Sequence, residues 1–267
     1  MSGFDSDILI IGSGFGGSVS ALRLAEKGYR VMVLEQGRRL TDDDLAKAGR
    51  DPRALAWAPA LGLKGFFAQD VFRHVGIVRG VAVGGGSIVY AAVLLEPREP
   101  FYRDPAWVGL NPDWRAELAP HYRTARAMLG VTDNPYHGIQ DDWLRGAAER
   151  LGAADTFGPT PQGIFFGDPS RATPDPFFDG KGPARSGCNQ CGRCITGCAY
   201  GAKNSLDRNY LYFAEQLGVK IQPERQVTHV EPLPDGGYRV HVRHPWDRSV
   251  TTTPLTADAR FPDPLPP

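Results

Sequence analysis

Apolar residues gather first in two short runs. Ile8-Leu9-Ile10-Ile11 follows Asp7, and Val31-Met32-Val33-Leu34 ends on Glu35. Continuous branched runs of this length read as strands buried on both faces, the habit of a parallel sheet. Between them Val19, Leu22, Leu24 and Ala25 recur at helical spacing, which predicts an amphipathic helix with these residues on its buried side. Strand, turn, helix and strand make a βαβ unit, and the fold class is α/β.

Farther on the pattern loosens. A polar, acidic stretch surrounds Asp42-Asp43-Asp44. Trp114, Leu118, Tyr122, Ala125 and Leu129 line one side of a helix over 113–128, with Pro120 set to kink it. A second helix over 141–151 would bury Leu144, Ala147, Ala148 and Leu151. Residues 152–187 are rich in Pro, Gly and Phe and read as irregular loop. A helix over 206–217 stops at Gly218, followed by a short strand at 219–221. Residues 226–231 and 238–242 alternate like half-exposed strands joined through Asp235-Gly236-Gly237. Another strand could begin in 251–256, but four prolines in the last six positions cannot continue a sheet.

The turn after the first strand carries the chemistry: Gly12-Ser13-Gly14-Phe15-Gly16-Gly17. Gly12 allows a tight turn, Gly14 lets the backbone approach a pyrophosphate, and Gly17 lets the helix pack close to the strand. The phosphates would rest on unpaired N–H groups at the helix N-terminus, where the dipole favours negative charge. Glu35, 23 positions after Gly12, is placed to accept from a ribose hydroxyl. An acid there disfavours a 2′-phosphate, so FAD or NAD is expected over NADP. A second cluster, Gly84-Gly85-Gly86-Ser87 before Ile88-Val89-Tyr90, reads as a close-contact turn.

The bulk numbers narrow the class. The 267 residues carry 30 basic and 30 acidic side chains, so no global field recruits nucleic acid or an anionic membrane. No apolar run reaches the length of a transmembrane segment, and a strand starting by Asp7 leaves no room for a signal peptide. A cytoplasmic location is expected. All four cysteines fall between Cys188 and Cys198, which reads as a site and not as a secreted disulfide framework.

Several blocks together resemble the glucose-methanol-choline (GMC) oxidoreductases, within them the cholesterol-oxidase-like branch. They are Ile10 to Ser18 with Val33-Leu34-Glu35, Gly80 to Tyr90, Glu96-Pro97, and Cys188 to Leu211. The resemblance implies a Rossmann-like FAD-binding domain with an inserted, partly irregular substrate-side region. FAD would lie with its pyrophosphate at Gly12, Ser13, Gly14, Phe15, Gly16 and Gly17 and its ribose at Glu35. Gly84, Gly85, Gly86 and Ser87 would follow the flavin side, and the backbone at Val227 would hold the adenine. Tyr90 stands where cholesterol oxidases resemble one another in having an Asn near the flavin, and so departs from the pattern.

The family pattern divides the chain into 1–95 (the βαβ unit and flavin loop), 96–218 (substrate side with the cysteines), 219–253 (return strands) and 254–267 (a Pro-rich tail). The family's return motif and C-terminal catalytic His have no counterpart here. His74, His121, His137, His229, His241 and His244 match no catalytic position. The chain therefore reads as the N-terminal, truncated part of an alcohol oxidase, inactive alone, with no catalytic residue of its own. Its substrate class would be a small-molecule alcohol, a sterol among the candidates.

Cys188-x-x-Cys191-x-x-Cys194-x-x-x-Cys198 has the spacing of the bacterial ferredoxin run, but lacks its following proline and any further cysteine. Structural or redox thiols, an iron–sulfur cluster and zinc remain open at this point. A cluster would make the chain a dehydrogenase that passes electrons to an acceptor protein. A non-catalytic FAD-binding fragment is the reading from another class.

Overall fold

The computed structural model describes residues 4–249 and 254–258. The expected βαβ unit forms as β1 (Ile8–Ile11), α1 (Phe15–Glu26) and β2 (Val31–Leu34). The strands pair in parallel, Ile8 opposite Val31 and Ile11 opposite Leu34. The polar, acidic Asp42-Asp43-Asp44 stretch forms the first turn of α2 (Asp42–Ala48). Thr41 caps it and the Asp44 side chain bonds back to the Thr41 N–H, while three acids sit at the positive end of the helix dipole. A hairpin absent from the periodicity follows, β3 (Phe67–Val71) with β4 (Gly76–Gly80). Its outer residues Val71, Phe72, Val75, Ile77 and Val78 are exposed, so no polar alternation marked it.

α3 (Trp114–Met128) runs through Pro120, and its predicted stripe is half-buried and ends on buried Leu129. α4 (Ile139–Arg150) departs from expectation: Leu144 and Leu151 are 62% and 81% exposed, and only Ala147 and Ala148 turn inward. No described element packs over its larger apolar residues, so the periodic signal is real but its face is not covered. The helix expected over 206–217 is broken at Asn209 into a 3-10 turn, Leu206–Arg208, and α5 (Tyr210–Gln216). The Asn209 side chain caps the Tyr210 N–H. The chain then forms β5 (Lys220–Gln222), β6 (Gln226–Pro232), β7 (Tyr238–Arg243) and β8 (Leu255–Ala257).

β5 pairs in parallel with β2, giving the order β1-β2-β5. β6, β7 and β8 make a separate antiparallel meander. β8 lies within the segment expected as a tail; residues 250–253 and 259–267, with the final prolines, lie outside the described residues. The alternation of β2 divides the interior. Val31 and Val33 join Ala21 and Leu22 of α1 and Leu211 and Ala214 of α5. Met32 and Leu34 face Val240 and Val242 of the meander. Each fully buried Val or Leu contributes about 1.5–3 kcal/mol of apolar transfer, so β2 is the thermodynamic centre of this region. Val19, expected on the buried side of α1, is 37% exposed; Ser18, Ala21 and Leu22 point inward instead. Among the described residues no helix is long and apolar enough to cross a membrane.

Candidate functional site

The first glycine turn is held from below. Ser13 is fully buried, and its N–H and hydroxyl both donate to one Glu35 carboxylate oxygen, at 3.0 and 2.7 Å. The other Glu35 oxygen accepts from the Gly37 N–H at 2.9 Å. The Ser13 hydroxyl oxygen in turn accepts from the Gly84 N–H at 3.1 Å. One short side chain therefore joins the two glycine clusters and the acid at the end of β2.

Glycine is required at the contacts between these loops. A Cβ on Gly17 would overlap the Gly12 carbonyl oxygen, and one on Gly80 would overlap the Gly85 carbonyl. One on Gly85, whose φ is +52°, would come to 2.7 Å from the Gly14 Cα. Ser87 completes the joint: its hydroxyl donates to the Gly84 carbonyl at 2.7 Å and accepts from the Leu206 N–H at 2.9 Å.

Above the joint lies an open cleft of about 360 Å³. Gly12, Gly14, Glu35, Gly85, Gly86 and Val227 line it, all of them expected from sequence. Ile11, Leu34, Gln36, Gly80, Arg225 and Gln226 complete the wall. Gln226 opens the strand expected at 226–231, whereas Arg225, between β5 and β6, had no local signal beyond a charged residue in a loop. Arg225 reaches the cleft because Glu224 adopts φ +58° and the Arg225 N–H donates to the Glu35 carbonyl at 2.8 Å.

The cleft fits a dinucleotide in two respects. A Cβ on Gly12, Gly14 or Gly86 would meet no protein atom, so these backbones face space and not packing. The N-terminus of α1 has neither a side-chain cap nor an acid in its first turn, which leaves its N–H groups to an anion.

Other expected residues lie off the cleft. Ser13, Gly17, Gly84 and Ser87 form the support just described. Phe15 and Gly16 are exposed on the first turn of α1, and Phe15 meets Tyr90 edge-to-face at 6.0 Å. Tyr90 turns its hydroxyl toward the irregular region, donating to the Asn204 carbonyl at 3.0 Å. Burial holds that phenol well above its ordinary range, with Cys194 adding to the effect. None of the six histidines lines the cleft. The aromatic residues of the 96–204 region largely pack on one another: Phe165 on Phe177, Phe177 on Phe178, and Phe101 on Trp107.

The four cysteines are unpaired and line one small pocket together. Burial pushes the Cys188 and Cys194 thiols up. Beneath them Lys203, 2% exposed, donates to the carbonyls of Ile88, Tyr90 and Cys194 at 2.7–3.1 Å. Burial pulls this ammonium down to about 8. Arg185, equally buried, binds the carbonyls of Gly201, Ala202 and Lys203 and the Asn204 side chain. Among the described residues no group of three or more His, Cys, Asp or Glu side chains is arranged to hold a metal ion, which the zinc reading requires.

Residues 10–42 match the NAD(P)-binding Rossmann-like domain family. The chain is 50% identical over 241 residues to a cholesterol oxidase of Mycobacterium tuberculosis, covering 88% of this chain and 42% of that protein. It is 49% identical to a cholesterol oxidase of Acinetobacter baumannii, over 87% of this chain and 42% of the relative. It is 29% identical to a long-chain-alcohol oxidase of Arabidopsis thaliana, over 80% and 25%. The crystal structure of a pyridoxine 4-oxidase shares the fold, with a TM-score of 0.57 at 18% identity, covering 95% of this chain and 48% of the other. This chain thus spans less than half the length of the cholesterol oxidases it matches. Together the matches imply a flavin cofactor in general terms. Over nearly nine-tenths of its length this chain belongs to the GMC-type oxidoreductases, as the counterpart of the N-terminal part of the cholesterol oxidases.

Proposed function

We propose that this chain holds FAD in an extended pose, as the nucleotide-binding part of an alcohol oxidoreductase. The observation that carries this reading is the Ser13 bridge, which fixes the two glycine turns along one cleft with Glu35 at its floor. Gly12 and Gly14 would admit the pyrophosphate onto the N-terminus of α1, with Arg225, which also lines the cleft, supplying a cation. Glu35 has about four acceptor positions and gives three to the protein, leaving one for a ribose hydroxyl. The backbone at Val227 would meet the adenine, and Gly85 and Gly86 would run along the flavin side.

When bound, the flavin supplies the acceptor for a hydride from the alcohol carbon. The chain's own residues bind, orient and exclude water. Alcohol oxidation also needs a base for the hydroxyl proton, a contribution of about 10²–10⁴-fold, and none of the six histidines lies at the cleft. This chain by itself therefore binds the flavin without turning alcohol over. The relatives named for cholesterol and for long-chain alcohols make a hydrophobic alcohol the substrate class to try first, a sterol before others. An absorption spectrum of the purified chain with added FAD, after gel filtration, tests the reading. Retained two-band flavin absorbance that bleaches with dithionite supports it; loss of all FAD with retention of NAD would refute it.

A further inference from the structure

We infer that a second cleft, beside the dinucleotide cleft, binds a planar aromatic ring carrying a phosphate, of the nucleoside monophosphate kind. This cleft is open and measures about 390 Å³, within the range of small-ligand sites. Gln36 and Gln226 line it and the dinucleotide cleft alike, so the two adjoin across these side chains. The Arg243 Nε–H donates to the Gln226 side-chain oxygen at 2.9 Å and steadies that partition. Neither Glu35 nor the glycine turns line the second cleft, so its recognition is of another kind.

Aromatic surface is the first component. Trp57 and Trp246 both line the cleft and meet edge-to-face at 5.3 Å. Trp57 pairs with Lys64 in a two-residue antiparallel ladder, and Trp246 sits in the bend that follows β7. The His244 ring meets Trp246 edge-to-face at 4.9 Å, and the Lys64 ammonium stands 5.8 Å from the indole centre. Both indoles are thus held by neighbours and only half-buried, which leaves ring surface to a ligand. Stacking on an aromatic side chain strengthens binding about fivefold to a hundredfold per base.

Charge is the second component. Arg79, Arg243 and Arg248 line the cleft with no carboxylate among them, in a chain whose charges balance at 30 and 30. Arg79 is committed to Asp70 at 2.6 Å, and His244 pairs with Glu224 at 3.6 Å. Among the described residues neither Arg243 nor Arg248 takes part in an ion pair. Guanidinium groups present forked donors that match phosphate oxygens. Two arginines without acid partners beside two indoles make a recognition set for a base and its phosphate. A neutral alcohol would use neither half of it, and a merely solvated basic surface would need neither the concavity nor the indoles.

AMP is the probe, titrated by calorimetry into the purified chain. Because AMP is also one half of FAD, the chain is titrated both free and after loading with FAD and gel filtration. Gly14→Ala and Arg248→Ala are titrated in parallel. The expected result is a dissociation constant of about 1 mM or tighter that persists with loaded FAD and in Gly14→Ala. Arg248 is exposed in a turn, so Arg248→Ala should melt with the parent and keep FAD, while its AMP affinity falls about tenfold to a hundredfold. If that variant fails to fold, Arg243→Gln takes its place with the same loss expected. Adenosine and inorganic phosphate, each with half of the recognition, should bind at least about tenfold more weakly than AMP. AMP binding abolished by loaded FAD or by Gly14→Ala would belong to the dinucleotide cleft and overturns the inference. So does a dissociation constant weaker than about 1 mM, unchanged affinity in the arginine variant, or equal affinity for inorganic phosphate. A chain that rejects FAD yet binds AMP through Arg248 refutes the FAD reading alone, so the two stand or fall separately.

Discussion

Ser13 gives both of its donors to a single Glu35 oxygen, and the same hydroxyl receives the Gly84 N–H. The acid expected to meet a ribose is thus first a structural clamp, and the serine between two glycines is the joint of the cleft. Ser13→Ala leaves the buried Gly84 N–H unpaired and removes one Glu35 donor. An unmet buried group costs about 1–3 kcal/mol. The expected fall in melting temperature is about 2–4 °C per kcal/mol. Thermal denaturation should show this even without added flavin; an unchanged melt would mean that the joint is not needed.

Two glycines separate fold from binding. Gly85→Ala places a methyl 2.7 Å from the Gly14 Cα at a left-handed φ, and should destabilise the chain by about 1–3 kcal/mol. Gly14→Ala meets no protein atom, so stability should move by less than about 1 kcal/mol. Its methyl would project where the pyrophosphate is proposed to lie, and FAD affinity should fall tenfold or more, about 1.4 kcal/mol. Paired melting and FAD titrations read both numbers, and equal affinity in Gly14→Ala would displace the phosphates from this turn.

Arg225 is the charged residue in the cleft wall that sequence reasoning passed over. Charge-assisted bonds are worth about 1.5–3 kcal/mol, so Arg225→Ala should weaken FAD by roughly tenfold to a hundredfold. The salt dependence of binding should flatten as well. Titrations at low and high ionic strength check both.

The cap of α2 gives a pH signature. Burial pushes the Asp44 carboxyl up, but bonds from the Thr41 N–H and hydroxyl and the nearby Arg38 guanidinium outweigh it, so it lies below the ordinary aspartate range. A depressed folded pKa contributes stability that is present above the unfolded value and lost as pH falls through the folded one. Melting temperatures of the parent and Asp44→Asn should differ by a constant amount near neutrality. The gap should close progressively below pH about 4. A gap that widens in acid would contradict the assignment.

The β1–α1–β2 unit was readable because all of its information is local. Two β-branched runs, a glycine turn and an acid sit within 28 consecutive positions, Ile8 to Glu35. β5, β6 and β7 also announced themselves by period and turn residues. Elsewhere local pattern misled or stayed silent. Leu144 and Leu151 lie on the predicted face of α4 yet are exposed, because period reveals a face without revealing what covers it. The β3–β4 hairpin carries apolar residues on its open side, and the acidic stretch at Asp42–Asp44 gave no element of its own until Thr41 closed the cap of α2.

The sequence by itself determined the α/β class, the glycine turns and the acid, because chain sterics and a 23-residue spacing dictate them. Tertiary structure decided that Ser13 meets Gly84 across 71 positions, that Arg225 lines the cleft, and that Lys203 lies buried beside four thiols. Those pairings depend on how segments far apart in sequence pack around β2. Only folding, which buries β2 between α1 and the meander, fixes that packing.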